Sequence, residues 1–113
     1  MHELSLIQNT LALARQQLKQ AGAQRIHVLR LRIGALSGVS MDALEFAFDV
    51  VRRDSPAADA RLEIEPVATV CWCARCNAEF QPQGYVFECP TCHELSSDVR
   101  HGRELELVSV EVS

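Results

Sequence analysis

Residues 71–93 read CWCARCNAEFQPQGYVFECPTCH, and this stretch decides how the rest of the chain is organised. It holds all five cysteines, Cys71, Cys73, Cys76, Cys89 and Cys92, and none occurs in the first 70 residues. Cys73 and Cys76 form one C-x2-C pair and Cys89 and Cys92 a second, with 12 residues between them. Each pair suits a tight turn that presents two thiolates to one ion, with a hairpin expected from the residues between. Four soft thiolates in a tetrahedron match Zn2+, and a closed four-thiolate shell is structural rather than catalytic. The physical motive is that an insert of about 30 residues buries too little apolar surface to hold itself together. Metal binding coupled to folding supplies on the order of 10–16 kcal/mol. Five cysteines within 22 positions make a poor disulfide framework.

Other uses of the same residues fare worse. A redox C-x-x-C belongs at a helix start in a thioredoxin-like unit, and no βαβ pattern surrounds Cys89-Pro90-Thr91-Cys92. The symmetric paired spacing favours zinc over an iron–sulfur cluster. A deaminase needs an H-x-E motif and a Pro ahead of its cysteine pair. Cys71 is left over as a reduced, partly buried thiol, and His93 and His101 read as exposed surface histidines. Zinc ribbons often bind nucleic acid, but between Cys71 and Val99 the only basic side chain is Arg75, against Glu79, Glu88, Glu94 and Asp98. A phosphate-binding face reverses that balance. Trp72, Phe80, Tyr85 and Phe87 are expected to form a small core around the metal.

Outward from the insert the patterns become regular. From Glu3 to Gln20, Leu4, Ile7, Leu11, Ala14 and Leu18 alternate spacings of three and four, with Leu6 and Leu13 widening the stripe, so a helix is expected. Gly22 is its stop signal. Ile26–Ile33 reads as a strand, with Leu29, Leu31 and Ile33 alternating against Arg30 and Arg32. Gly34 and Gly38 bracket a turn-rich stretch. Ser40 then caps a second helix, with Asp42 in its first turn and Met41, Leu44, Phe48 and Val51 as its core face. Asp54–Asp59 is a loop. Arg61–Glu65 alternates through Leu62 and Ile64, and Glu104–Val112 alternates through Leu105 and Leu107 before shifting phase to Val108, Val110 and Val112. A bulge or twist near Val108 would reconcile the two halves. Leu105–Val112 is expected to pair with the sheet formed by the two earlier strands.

The fold class that follows is α+β: a small mixed sheet of about three strands with two helices, plus an inserted zinc-ribbon-like four-cysteine domain. Residues 1–68 and 101–113 form the first domain, and residues 69–100 the insert. The 113 residues carry 11 basic and 15 acidic side chains, a net charge of -4, which argues against unspecific polyanion binding. With 48% hydrophobic and 23% charged residues the chain is expected to fold. No apolar run approaches the roughly 18 residues that span a membrane. The first Lys or Arg is Arg15, so no signal-peptide pattern opens the sequence, and a cytoplasmic protein is expected.

Met1-His2-Glu3 is the second place where chemistry is available. The α-amine of Met1, the backbone nitrogen of His2 and its imidazole close adjacent chelate rings around one ion, and Glu3 offers a backbone nitrogen or a carboxylate oxygen as a fourth donor. Ni2+ and Cu2+ favour such tetragonal, nitrogen-rich sites, while Zn2+ gains little from them. The bulk of His2 discourages removal of Met1. Read alone, the same three residues also describe an inert, frayed terminus.

The opening MHELSLIQ, the segment Leu31-Arg32-Ile33-Gly34-Ala35-Leu36-Ser37, and Cys-Trp-Cys-x-x-Cys followed by Cys-Pro-x-Cys-His occur here in that order. Together, and over nearly the whole chain, they resemble the HypA/HybF family of hydrogenase nickel-incorporation proteins. The resemblance implies a metallochaperone and not an enzyme. It puts Ni2+, the transported cargo, on Met1, His2 and Glu3, and one structural Zn2+ on Cys73, Cys76, Cys89 and Cys92. It also implies a mixed α/β nickel domain with the zinc domain inserted before its last strand. The partners it implies are a HypB-type nickel GTPase and the large-subunit precursor of a [NiFe] hydrogenase, with urease maturation proteins for some relatives. The competing readings are a zinc-stapled protein-interaction adaptor with an inert terminus and, behind it, a zinc-ribbon nucleic-acid binder.

Overall fold

The computed structural model describes residues 2–113, which divide into two compact units. One comprises the chain up to Arg32, Gly38–Glu65 and Glu106–Ser113; the other comprises Ile33–Ser37 and Pro66–Leu105.

The first unit begins with α1 (Glu3–Gln20), which buries Leu6, Ile7, Thr10, Leu11, Ala14 and Leu18. The stripe is centred closer to Leu6 than the spacing suggested: Leu13 is 50% exposed and Leu4 also faces outward. Thr10 sits in the core because its hydroxyl donates to the Leu6 carbonyl at 2.8 Å, satisfying its polar group within the helix. The helix stops where the sequence placed its glycine. Gly22 takes φ +65°, its N–H donates to the Lys19 carbonyl, and the Ala23 N–H donates to the Leu18 carbonyl. These paired bonds are a Schellman stop, which favours a residue without a Cβ.

Strand β1 (Ile26–Gly34) is the centre of a three-stranded sheet of order β2-β1-β6, where β2 is Arg61–Val67 and β6 is Leu105–Val112. Arg25 and Ser113 exchange both backbone hydrogen bonds at 3.0 Å, the signature of antiparallel pairing between β1 and β6. Arg30 meets Glu63 and Arg32 meets Glu65, an in-step pairing that makes β1 and β2 parallel, so the sheet is mixed. Helix α2 (Met41–Val51) lies between those parallel strands in sequence, as a parallel pair requires. Ser40 caps it, its hydroxyl accepting the Ala43 N–H at 3.3 Å. Its core face is Leu44, Ala47 and Phe48; of the other residues expected inside, Met41 is 37% exposed and Val51 half-buried. On β6 the burial alternation changes phase at Ser109–Val110, so Val108, expected on the buried face, is 39% exposed.

The second unit is built on β3 (Val70–Cys73), β4 (Ala78–Phe80) and β5 (Asp98–His101), an antiparallel sheet of order β4-β3-β5. The hairpin is β3–β4, closing at the first cysteine pair; the residues between the two pairs do not form it, because β4 returns onto β3 and β5 arrives only after the second pair. The turn after β1 packs here. Leu36 N–H donates to the Gly102 carbonyl at 2.7 Å and Ala35 N–H to the Val67 carbonyl at 2.9 Å. Gly34 is required at this crossing, since any Cβ on it would collide with the Gly102 carbonyl.

Candidate metal sites

Two turns carry the four cysteines. Cys73 ends β3, and the reversal into β4, with Asn77 at φ 51°, swings Cys76 back so that its N–H donates to Cys73 Sγ at 3.4 Å. The second turn follows the same plan. Glu88 bridges to Leu95, the Cys89 N–H donates to the Glu94 carbonyl, and the His93 N–H donates to the Cys89 carbonyl, both at 2.9 Å. His93 takes φ 63° to close it.

The four Sγ atoms lie within 4.8 Å of one another, with Cys73–Cys92 at 3.5 Å and Cys76–Cys89 at 3.9 Å. A tetrahedron with Zn–S bonds of about 2.3 Å has edges of about 3.8 Å, whereas a disulfide needs about 2.05 Å. The donor set therefore fits one Zn2+. Its electrostatics agree. Backbone N–H groups of Cys92 and Thr91 hold the Cys89 thiol down to about 6, while hydrogen bonding with Cys92, then burial and the other two thiols, pushes Cys76 up to about 12. One thiolate forms readily and the last does not, because four negative sulfurs crowd one spot; a divalent cation removes that penalty.

Cys71, Cys73, Phe80 and Cys89 are buried together, with Phe87 and Val99 packed beside them. Trp72 instead lies under the Arg100 guanidinium, 4.8 Å from the ring centre, and Tyr85 is 78% exposed, so neither joins the core that the sequence suggested. A run of aromatics marks apolar content but not which way each side chain turns. Cys71 is fully buried opposite Phe80 and Val99, and burial pushes its thiol up, leaving it outside the four-sulfur cluster. His93 and His101 are exposed and pair with Glu88 and Glu104, at 3.2 and 3.3 Å.

At the amino terminus, the expected nickel donors on Met1 lie outside the described residues. His2 is exposed and acts as the N-cap of α1: its Nδ1 accepts the Leu4 N–H at 3.2 Å and its carbonyl accepts the Leu6 N–H at 3.0 Å. Glu3 opens the helix, and its carboxylate accepts the Ser40 N–H at 3.1 Å, where α2 begins. That backbone N–H holds the Glu3 carboxyl below the usual carboxylate range. Sequence reasoning missed both engagements. The Ser40 contact depends on a pairing 37 residues apart.

Among the described residues no helix is long and apolar enough to cross a membrane. Residues 1–112 match a family model described as hydrogenase/urease nickel incorporation, metallochaperone, hypA. The hydrogenase maturation factor HypA of Picosynechococcus sp. is 42% identical over 112 residues, covering 99% of each chain. That of Chloroflexus aurantiacus is 45% identical over 112 residues, covering 98% of each. The fold matches a solution structure of the Ni metallochaperone HypA from Helicobacter pylori, with TM-score 0.68 and 28% identity over 99% of this chain and 97% of that one. A second HypA solution structure matches with TM-score 0.71 and 28% identity. With a whole-chain family match, close relatives at full length and a four-thiol cage of the right size, the chain belongs to the HypA family of nickel-incorporation metallochaperones.

Proposed function

We propose that this protein binds Ni2+ through the Met1 amine, the backbone nitrogen and imidazole of His2 and a donor from Glu3, and delivers it for maturation of a [NiFe] hydrogenase. Zn2+ on Cys73, Cys76, Cys89 and Cys92 is structural. The observation that carries this reading is the contrast between the two donor sets. The four sulfurs form a closed, partly buried cage, suited to retention, while the His2 imidazole is exposed at a helix start, suited to release. An exposed terminal chelate loses its donors one at a time to protons or competing ligands, which a delivery site needs. The recipient is the hydrogenase large-subunit precursor, in cooperation with a HypB-type nickel GTPase, or urease maturation proteins where a urease is served. The setting is the cytoplasm, where reducing conditions keep thiols free for zinc. The role is carriage, not catalysis.

Complementation tests this. A host lacking its own copy regains hydrogenase activity with the wild-type chain and not with His2→Ala, and added nickel salt partly restores the variant. Full activity with His2→Ala at ordinary nickel levels would instead support the zinc-stapled adaptor with an inert terminus.

A further inference from the structure

The geometry points to a peroxide-responsive switch at the four-thiol cage: oxidation expels zinc and joins Cys73 to Cys92 and Cys76 to Cys89, with the fold of that unit kept. This inference is independent of the nickel reading. Two sulfur contacts run between the turns, Cys73–Cys92 at 3.5 Å and Cys76–Cys89 at 3.9 Å. Each joins a half-buried cysteine to a buried one, since Cys76 and Cys92 are half-buried while Cys73 and Cys89 are buried. A peroxide therefore reaches one partner of each pair, and the other, screened from solvent, stands ready to attack the product. Closing either contact to the 2.05 Å of a disulfide moves each sulfur by only about 0.7–0.9 Å when the shift is shared.

Bound zinc holds the four sulfurs as thiolates, the form that attacks peroxide. The Cys76 or Cys92 thiolate attacks one peroxide oxygen; the O–O bond breaks, a solvent proton completes the departing water, and a sulfenic acid forms. The Cys89 or Cys73 thiolate across the cage then attacks that sulfur; the S–O bond breaks, a second proton completes a second water, and a disulfide remains. Each pair loses two electrons to one peroxide. In all, four thiolates, two peroxides and four protons give two disulfides, four waters and free Zn2+. Where the links fall decides what happens to the fold. A disulfide within Cys73–Cys76 or Cys89–Cys92 would close one turn on itself and leave the two turns unjoined. The cross-turn links tie the same points that zinc ties, and Arg75 already bridges to Glu94 between those turns at 3.2 Å. Cys71, fully buried outside the cage, stays a thiol.

The test treats the zinc-loaded full chain with hydrogen peroxide. One zinc per chain should be released as two equivalents of peroxide are consumed, read with a chromogenic chelator. Of the five cysteines one should remain a thiol, Cys71, which alkylates only in denaturant. Peptide mapping by mass spectrometry locates the links. Trypsin cuts at Arg75, between Cys73 and Cys76, and a glutamate-specific protease cuts at Glu79 and Glu88, between the two pairs. The peptides carrying Cys73 and Cys76 should each be joined to the one carrying Cys89 and Cys92 and not to each other, with fragmentation placing Cys73 on Cys92. Amide protection across β3, β4 and β5 should persist in the oxidised protein, whereas chelation under reducing conditions removes it. A dithiol with added Zn2+ should restore the loaded form. Full retention of zinc under excess peroxide, any other cysteine pairing, sulfinic acids in place of disulfides, or a loss of protection equal to that after chelation would each overturn the inference.

Discussion

Single residues divide by whether their chemistry is local. Cys73, Cys76, Cys89 and Cys92 were legible because C-x2-C spacing already places two sulfurs on one turn, and the structure closes the two turns to a zinc-sized cage. The roles of His2 as a helix cap and of Glu3 as a partner of Ser40 were not legible. Capping by a histidine lies outside the usual Ser, Thr, Asp and Asn preference, and Glu3 finds Ser40 only through tertiary packing. His2→Asn should therefore leave the melting temperature of metal-free protein near wild type, since Asn caps well. His2→Ala should cost about 0.5–1 kcal/mol in chemical denaturation, the low end for a lost cap. Gly34 is the other residue whose need shows only in three dimensions. Gly34→Ala drives a Cβ into the Gly102 carbonyl and should destabilise by about 1–3 kcal/mol, measured by urea denaturation of zinc-loaded protein.

Elements were legible by face but not by centre. A period of three and four identifies α1 and α2 and rightly puts Leu6 inside, yet it also assigns Leu13 and Met41 to the core, where both are exposed, and passes over Ala47, which is buried. The stripe's width in sequence exceeds the contact that the sheet and the partner helix offer, so its edge falls to solvent. Leu44 lies at the true centre of α2 and is fully buried; Leu44→Ala should cost about 2–5 kcal/mol without altering zinc content. The sheet contributes a pH dependence. Arg61, then Arg30, holds the Glu63 carboxyl below the usual carboxylate range. A carboxyl depressed on folding adds stability that is present above its unfolded value near 4.5 and is lost as pH falls through the folded one. The thermal midpoint, followed by helical circular dichroism, should therefore drop between about pH 5 and pH 3, and Glu63→Gln should flatten part of that slope.

For the molecule as a whole, the clustering of every cysteine into one stretch without helical period led to the expectation of a metal-stapled unit, and the amphipathic helices to that of one with its own core. What spacing could not show was that Ile33–Ser37, far from the cysteines in sequence, packs with Pro66–Leu105. Backbone bonds from Ala35 and Leu36 make that join, and they leave no mark in side-chain pattern. Stripping zinc with a chelator should collapse amide protection across β3, β4 and β5 while α1 and α2 keep theirs, as read by hydrogen exchange. Whether the amino terminus carries nickel and the cysteines do not is decided by calorimetric titration of Ni2+ into zinc-loaded protein with an unextended Met1. One site per chain is expected, lost in His2→Ala and impaired by one extra residue before Met1, with zinc retained throughout. Equal nickel affinity in the wild-type, His2→Ala and extended proteins would contradict it.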